Sequence, residues 1–107
     1  MTGAEIIAQA IEVSERVREA HRQHAFSEAV REFRHLLARV PDLAAGDFSD
    51  DQVTALGALA EGVIDQIEDR VASDPSDSGN QKLVSGIYEI RRRLEKIQTW
   101  LSHYGRA

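Results

Sequence analysis

Apolar residues recur three and four positions apart through most of the 107-residue chain, and nowhere do they alternate with polar residues over a strand's length. That period belongs to α-helices that bury one face. The clearest stripe lies near the C-terminus. Leu83, Ile87, Ile90, Leu94, Ile97, Leu101 and Tyr104 alternate four and three apart, the seam of a helix packed nearly parallel or antiparallel to its neighbours. A middle stripe comprises Val53, Leu56, Ala60, Val63, Ile64, Ile67 and Val71, and the small residues Gly57, Ala58 and Ala60 predict that another backbone comes close. Both stripes read as bundle core.

Start and stop signals bracket these stripes. Capping boxes, in which Ser or Thr precedes Glu or Gln by three residues, occur at Thr2 with Glu5, Ser49 with Gln52 and Ser78 with Gln81. Met1 with Ile6 and Phe48 with Val53 supply the apolar pair that staples a helix entry. Met1 ahead of a capped start reads as a natural N-terminus. Val40-Pro41 predicts one helix end, because proline disfavours helical geometry in the residue before it. Asp74-Pro75 predicts a second end, and Gly105 suits a left-handed cap for the third.

Residues 3–39 do not fit one stripe. As a single helix they would run about 55 Å, against about 35–39 Å for the other two. Ile6, Ala10, Val13, Val17, Ala20 and His24 form one row, whereas Phe26, Ala29, Val30, Phe33, Leu36, Leu37 and Val40 form another, offset by a residue or two. A break near His24–Ser27 resolves the offset, with Ser27 as a cap that lacks a capping-box partner at Val30. The expected fold is therefore all-α: one domain over residues 1–107, an antiparallel helical bundle of four helices at about 3–24, 27–39, 50–72 and 79–104. If residues 3–39 stay continuous, three helices remain, and the overhanging apolar row calls for a homodimer.

Composition narrows the class. The chain is 42% hydrophobic and 29% charged with 7 Gly and 2 Pro, which excludes collagen-like and disordered chains. It has no cysteine, so disulfides and thiolate chemistry are excluded. Apolar runs are only a few residues long and the first ten residues carry Glu5 and no basic residue, so neither a signal peptide nor a membrane span is expected. The expected compartment is the cytoplasm. The net charge of −5 conceals an asymmetry: residues 1–41 balance six Arg with six Glu, residues 42–79 carry ten acids against Arg70, and residues 80–107 carry six bases against two acids. An acidic middle helix lying antiparallel to a basic last helix, each screening the other, accounts for this pattern. The negative net charge argues against a nucleic-acid partner.

Candidate chemistry is sparse. His21, His24 and Glu28 stand three and four apart, a spacing that suits a metal, but interior histidines satisfied by backbone or glutamate explain it as well, and no metal is expected. Arg18 with His24, and Arg16 with His21, resemble the Arg-to-His spacing of a class of small helical ribonucleases, a resemblance that implies RNA cleavage by that pair. Glu19, beside Arg18, departs from the polar residue common there. Phe26 to Asp42 (FSEAVREFRHLLARVPD) resembles the second helix of a tetratricopeptide repeat through Ala29, Phe33 and Pro41, which implies a helix hairpin used in scaffolding. The preceding segment carries Val17 and Ala20 where that motif has its glycine and aromatic. No paired-carboxylate, nucleophile–base or Gly-rich phosphate signature is present. The chain is expected to be no enzyme and to need no cofactor.

The last helix carries the informative surface. At helical spacing Tyr88, Arg92, Lys96, Trp100 and His103 fall outside the apolar sector, with Arg93 flanking Trp100. Tyrosine, tryptophan and arginine are the types enriched at binding hot spots. Packing of Trp100 inside the monomer, or cover of its ring by Arg93 and Lys96, would explain the same residues. The expected function is a small protein-interaction module, an adaptor, regulator or assembly subunit. Tyr88 and Trp100 would anchor an acidic protein partner and Arg92, Arg93 and Lys96 would steer it, with the acidic middle helix as a second patch.

Overall fold

The four apolar rows become four helices because each can face one shared core. The computed structural model describes residues 2–44 and 48–100. It contains α1 (Gly3–Glu19), α2 (Gln23–Ala44), α3 (Asp50–Ser73) and α4 (Ser78–Trp100), with no strand among the described residues. The protein is an all-α helical bundle.

Two helix starts form as the capping boxes predict. Thr2 Oγ1 accepts from the Glu5 N–H at 3.2 Å and the Glu5 carboxylate accepts from the Thr2 N–H at 3.5 Å. Ser49 Oγ accepts from the Gln52 N–H at 3.2 Å and Gln52 Oε1 accepts from the Ser49 N–H at 2.9 Å. Phe48 and Val53 are both buried at that entry. The third start differs: Asp77, not Ser78, caps α4. Its Oδ1 accepts from the Gly79 N–H at 2.7 Å and its carbonyl from the Gln81 N–H at 3.1 Å. Aspartate caps as well as serine, so the helix begins one residue early and Gln81 turns its amide to the Pro75 carbonyl at 2.6 Å. The Met1–Ile6 staple, Leu101, His103, Tyr104 and the Gly105 stop lie outside the described residues.

Residues 3–39 are not one helix, and the break falls at Ala20–Arg22 rather than at His24–Ser27. At about 100° per residue, Phe26 on an unbroken helix would point opposite to Val17, yet both are 1% exposed. Ala20 leaves the helix with extended backbone (φ −72°, ψ 119°). The Arg22 carbonyl then accepts from the Phe26 N–H at 3.0 Å to open α2. Ser27 therefore sits inside α2 and caps nothing. With the break, the overhang that would call for a homodimer through this segment does not arise.

Pro41 does not end α2, which runs on to Ala44. Val40 is fully buried beside Leu37, and burying a valine contributes about 1.5–3 kcal/mol. That exceeds the local preference of a residue before proline, so Val40 keeps its helical phase.

The helices form two stacked hairpins. α1 packs on α2 and α3, and α4 packs on α3 and α2. At the hairpin end, Arg70 near the close of α3 donates to the Ala20 carbonyl at 2.7 Å, which places the ends of α1 and α3 together. Arg34 and Glu89 pair across α2 and α4, and each is the twelfth residue of its helix. α2 and α4 are thus parallel and in register, while each hairpin is internally antiparallel. Gly57 was expected at a close backbone approach, but a Cβ built there meets nothing within 4 Å, and Ala58 is exposed. No described helix is long and apolar enough to cross a membrane.

Candidate functional site

The seam of α4 fixes what its other faces present. Leu83, Ile90 and Ile97 are buried, with Ile87 and Leu94 packed against the core. Tyr88 therefore points outward and is 70% exposed. A shallow depression of about 370 Å³ brings Tyr88, Arg92, Arg93 and Lys96 together with Ser85 and Glu89. Four of the five expected binding residues share this surface.

Trp100 does not join them. It is partly buried and packs against the core, as a bundle flank would have it. Arg93 is only partly available: its Nε lies 4.0 Å from Glu89 Oε1, and Glu89 is also bound by Arg34 of α2. Arg92 and Lys96 are exposed and make no ion pair among the described residues. Glu89 belongs to this surface although it is neither aromatic nor basic, and its spacing of four from Arg93 is the sequence signal that marks it.

α3 and α4 are neighbours, but none of the ion pairs among the described residues joins them. The acidic and basic helices lie antiparallel as expected, with both charged stripes facing water. Between them runs a groove of about 190 Å³ with Glu68 of α3 on one wall and Val84, Ile87, Tyr88 and Arg91 of α4 on the other. Tyr88 borders both depressions.

A cleft of about 430 Å³ lies at the hairpin end. Arg70 spans it, donating to the Ala20 carbonyl, to the His21 carbonyl at 3.5 Å and to Gln23 Oε1 at 3.3 Å, with its guanidinium 4.0 Å from the Phe26 ring centroid. Asn80 is 3% exposed and its amide donates to the Asp74 carbonyl at 2.9 Å and the Arg70 carbonyl at 3.3 Å. These groups tie the two turns together. Both were visible as exceptions, since Arg70 is the only base in residues 42–79 and Asn80 stands three before Leu83 on an apolar row.

His21 and His24 are exposed, not interior as expected. His24 pairs with Glu28 at 3.7 Å, His21 lies in the helix break, and the described residues hold no group of three metal-ligating side chains. Arg16 is committed to Glu32, which accepts from its Nη1 at 3.2 Å. That hydrogen bond raises the Arg16 pKa and holds the Glu32 carboxyl below its usual range. Arg18 lines the hairpin-end cleft with His21 while His24 does not, so the break separates the Arg18–His24 pair. Comparison with known protein families, curated proteins and solved structures gives no match to this chain.

Proposed function

We propose that the protein is a non-catalytic interaction module that binds an acidic protein surface through the outer face of α4. The observation that carries this reading is Tyr88, 70% exposed between two depressions and flanked by the exposed Arg92 and Lys96, which make no ion pair among the described residues. An aromatic ring ordered on a helix gives contact area at little entropic cost, and guanidinium and ammonium groups beside it steer an acidic partner. Trp100 belongs to the core in this account and Arg93 contributes through Glu89.

The test is affinity capture from the native host's lysate with wild type beside a Tyr88→Ala/Arg92→Glu double variant, quantifying protein and nucleic acid. The reading expects a protein partner that elutes with added salt and is absent from the variant. Equal capture by both baits would remove α4 from the account. Nucleic acid held by both would move attention to Arg18 and its surroundings.

A further inference from the structure

We propose that the outer face of the α3–α4 hairpin seats a second copy of this chain, with the acidic stripe of each α3 laid on the Tyr88–Arg92 stretch of the other α4. The proposal rests on the reading of α4 as a docking face and names the acidic partner.

Exposed charges on α3 and α4 make no ion pair among the described residues. Glu61, Asp65 and Glu68 occupy one stripe of α3 and are all exposed. Arg91 and Arg92 are exposed on α4, next to that helix, yet no described ion pair links the two helices. Glu68 and Arg91 stand on opposite walls of one groove whose apolar part is Val84, Ile87 and the Tyr88 ring. One face of the molecule is therefore acidic on its α3 half, aromatic and net basic on its α4 half, where Arg91, Arg92 and Lys96 outweigh the exposed Glu95, and apolar between.

Such a face is complementary to itself under one symmetry only. A two-fold axis lying in the interface across the helices would set α3 on α3, acid against acid. An axis along the helices exchanges the halves and sets α3 on α4 twice, with equivalent contacts that close the assembly at two copies. Charge complementarity selects the second. That axis also preserves height along the bundle. Asn80 bonds the Arg70 carbonyl, so these residues mark one level. Counting nine residues away from the turn on each strand of the hairpin puts Glu61 level with residue 89, within one turn (about 5.4 Å) of Tyr88, Arg91 and Arg92. Asp65 follows one turn nearer the hairpin end. The net charge of −5 opposes association only weakly, because charges beyond a screening length of about 8 Å are damped at physiological salt while opposed side chains in contact are not.

The test uses the full chain and two charge-reversed variants, Glu61→Arg/Asp65→Arg and Arg91→Glu/Arg92→Glu, with masses from sedimentation equilibrium between about 1 μM and about 1 mM. All four positions are exposed, and the urea midpoint of each variant confirms its fold. Wild type is expected to form a dimer that weakens between about 50 mM and about 500 mM salt. Each variant alone should raise the dimer Kd by about tenfold or more, and an equimolar mixture of the two should recover a heterodimer, since each then meets the opposite charge on both stripes. A monomeric wild type at every concentration, or a dimer indifferent to the reversals and to their mixing, overturns the proposal. An immobilised poly-glutamate peptide separates the two readings. Retention of a monomeric wild type, lost in Arg91→Glu/Arg92→Glu, leaves the α4 docking face standing and removes the second copy. No retention and no dimer removes both.

Discussion

Arg34 and Glu89 occupy the same depth in two parallel helices and bind each other across the seam between the hairpins, each about one-third exposed. The pair marks the register of α2 against α4, and Glu89 also contacts Arg93. Gly86 of α4 lies beside it: a Cβ there would stand 3.6 Å from the Arg34 side chain, an ordinary contact.

A double-mutant cycle on Arg34→Ala and Glu89→Ala should return a coupling of about 1 kcal/mol by urea unfolding, between the values for exposed and buried pairs. Glu89→Ala alone should cost more than the coupling, because it leaves the half-buried Arg34 guanidinium without its acceptor and also removes the Arg93 contact. A coupling of zero would show that packing alone sets the register.

Arg70 should be the costliest charged residue to remove. Arg70→Ala takes donors from two backbone carbonyls where α1 ends and removes the cation from the Phe26 ring, a loss of about 2–3 kcal/mol. Arg70→Lys should recover only part, since a single ammonium cannot serve the Ala20 and His21 carbonyls and the Gln23 side chain together. Equal stability of the lysine variant in a thermal melt would refute the forked geometry.

Gly57 and Gly62 lie inside α3 with nothing within 4 Å of a Cβ built at either. Gly57→Ala and Gly62→Ala should each stabilise the monomer by about 0.5–1 kcal/mol by restricting the unfolded chain. Gly79→Ala should not, because its Cβ would meet Asp77 Oδ1 at 3.0 Å and Gln23 Nε2 at 3.3 Å. Urea midpoints of the three variants decide it.

The Arg16–Glu32 pair should show itself as a pH dependence. Its hydrogen bond holds the Glu32 carboxyl below its usual 4.5 in the folded state. A depressed folded pKa contributes stability that is present above the unfolded value and lost as pH falls through the folded one. The wild-type advantage over Glu32→Gln should therefore be no more than about 0.5 kcal/mol at neutral pH for so exposed a pair. It should vanish as pH falls from about 5 to about 3. An advantage that persists at low pH would assign it to packing.

Local chemistry determined much of this protein from sequence. Two capping boxes and four apolar rows need only neighbouring residues, so Thr2, Ser49 and the Leu83–Ile97 seam read directly as helix starts and core. The break at Ala20–Arg22 was legible as a phase conflict but not in position, because no Ser, Thr, Asp or Asn caps α2 there. Arg70, some fifty residues away in sequence, collects the carbonyls that the break frees. Pro41 stays helical because Val40 is buried by other helices. Likewise, the division of the α4 aromatics, Tyr88 to solvent and Trp100 to the core, depends on which sides of α4 face α2 and α3. A helical wheel orders residues around one axis; only the packing of the two hairpins decides which arc of that wheel meets water.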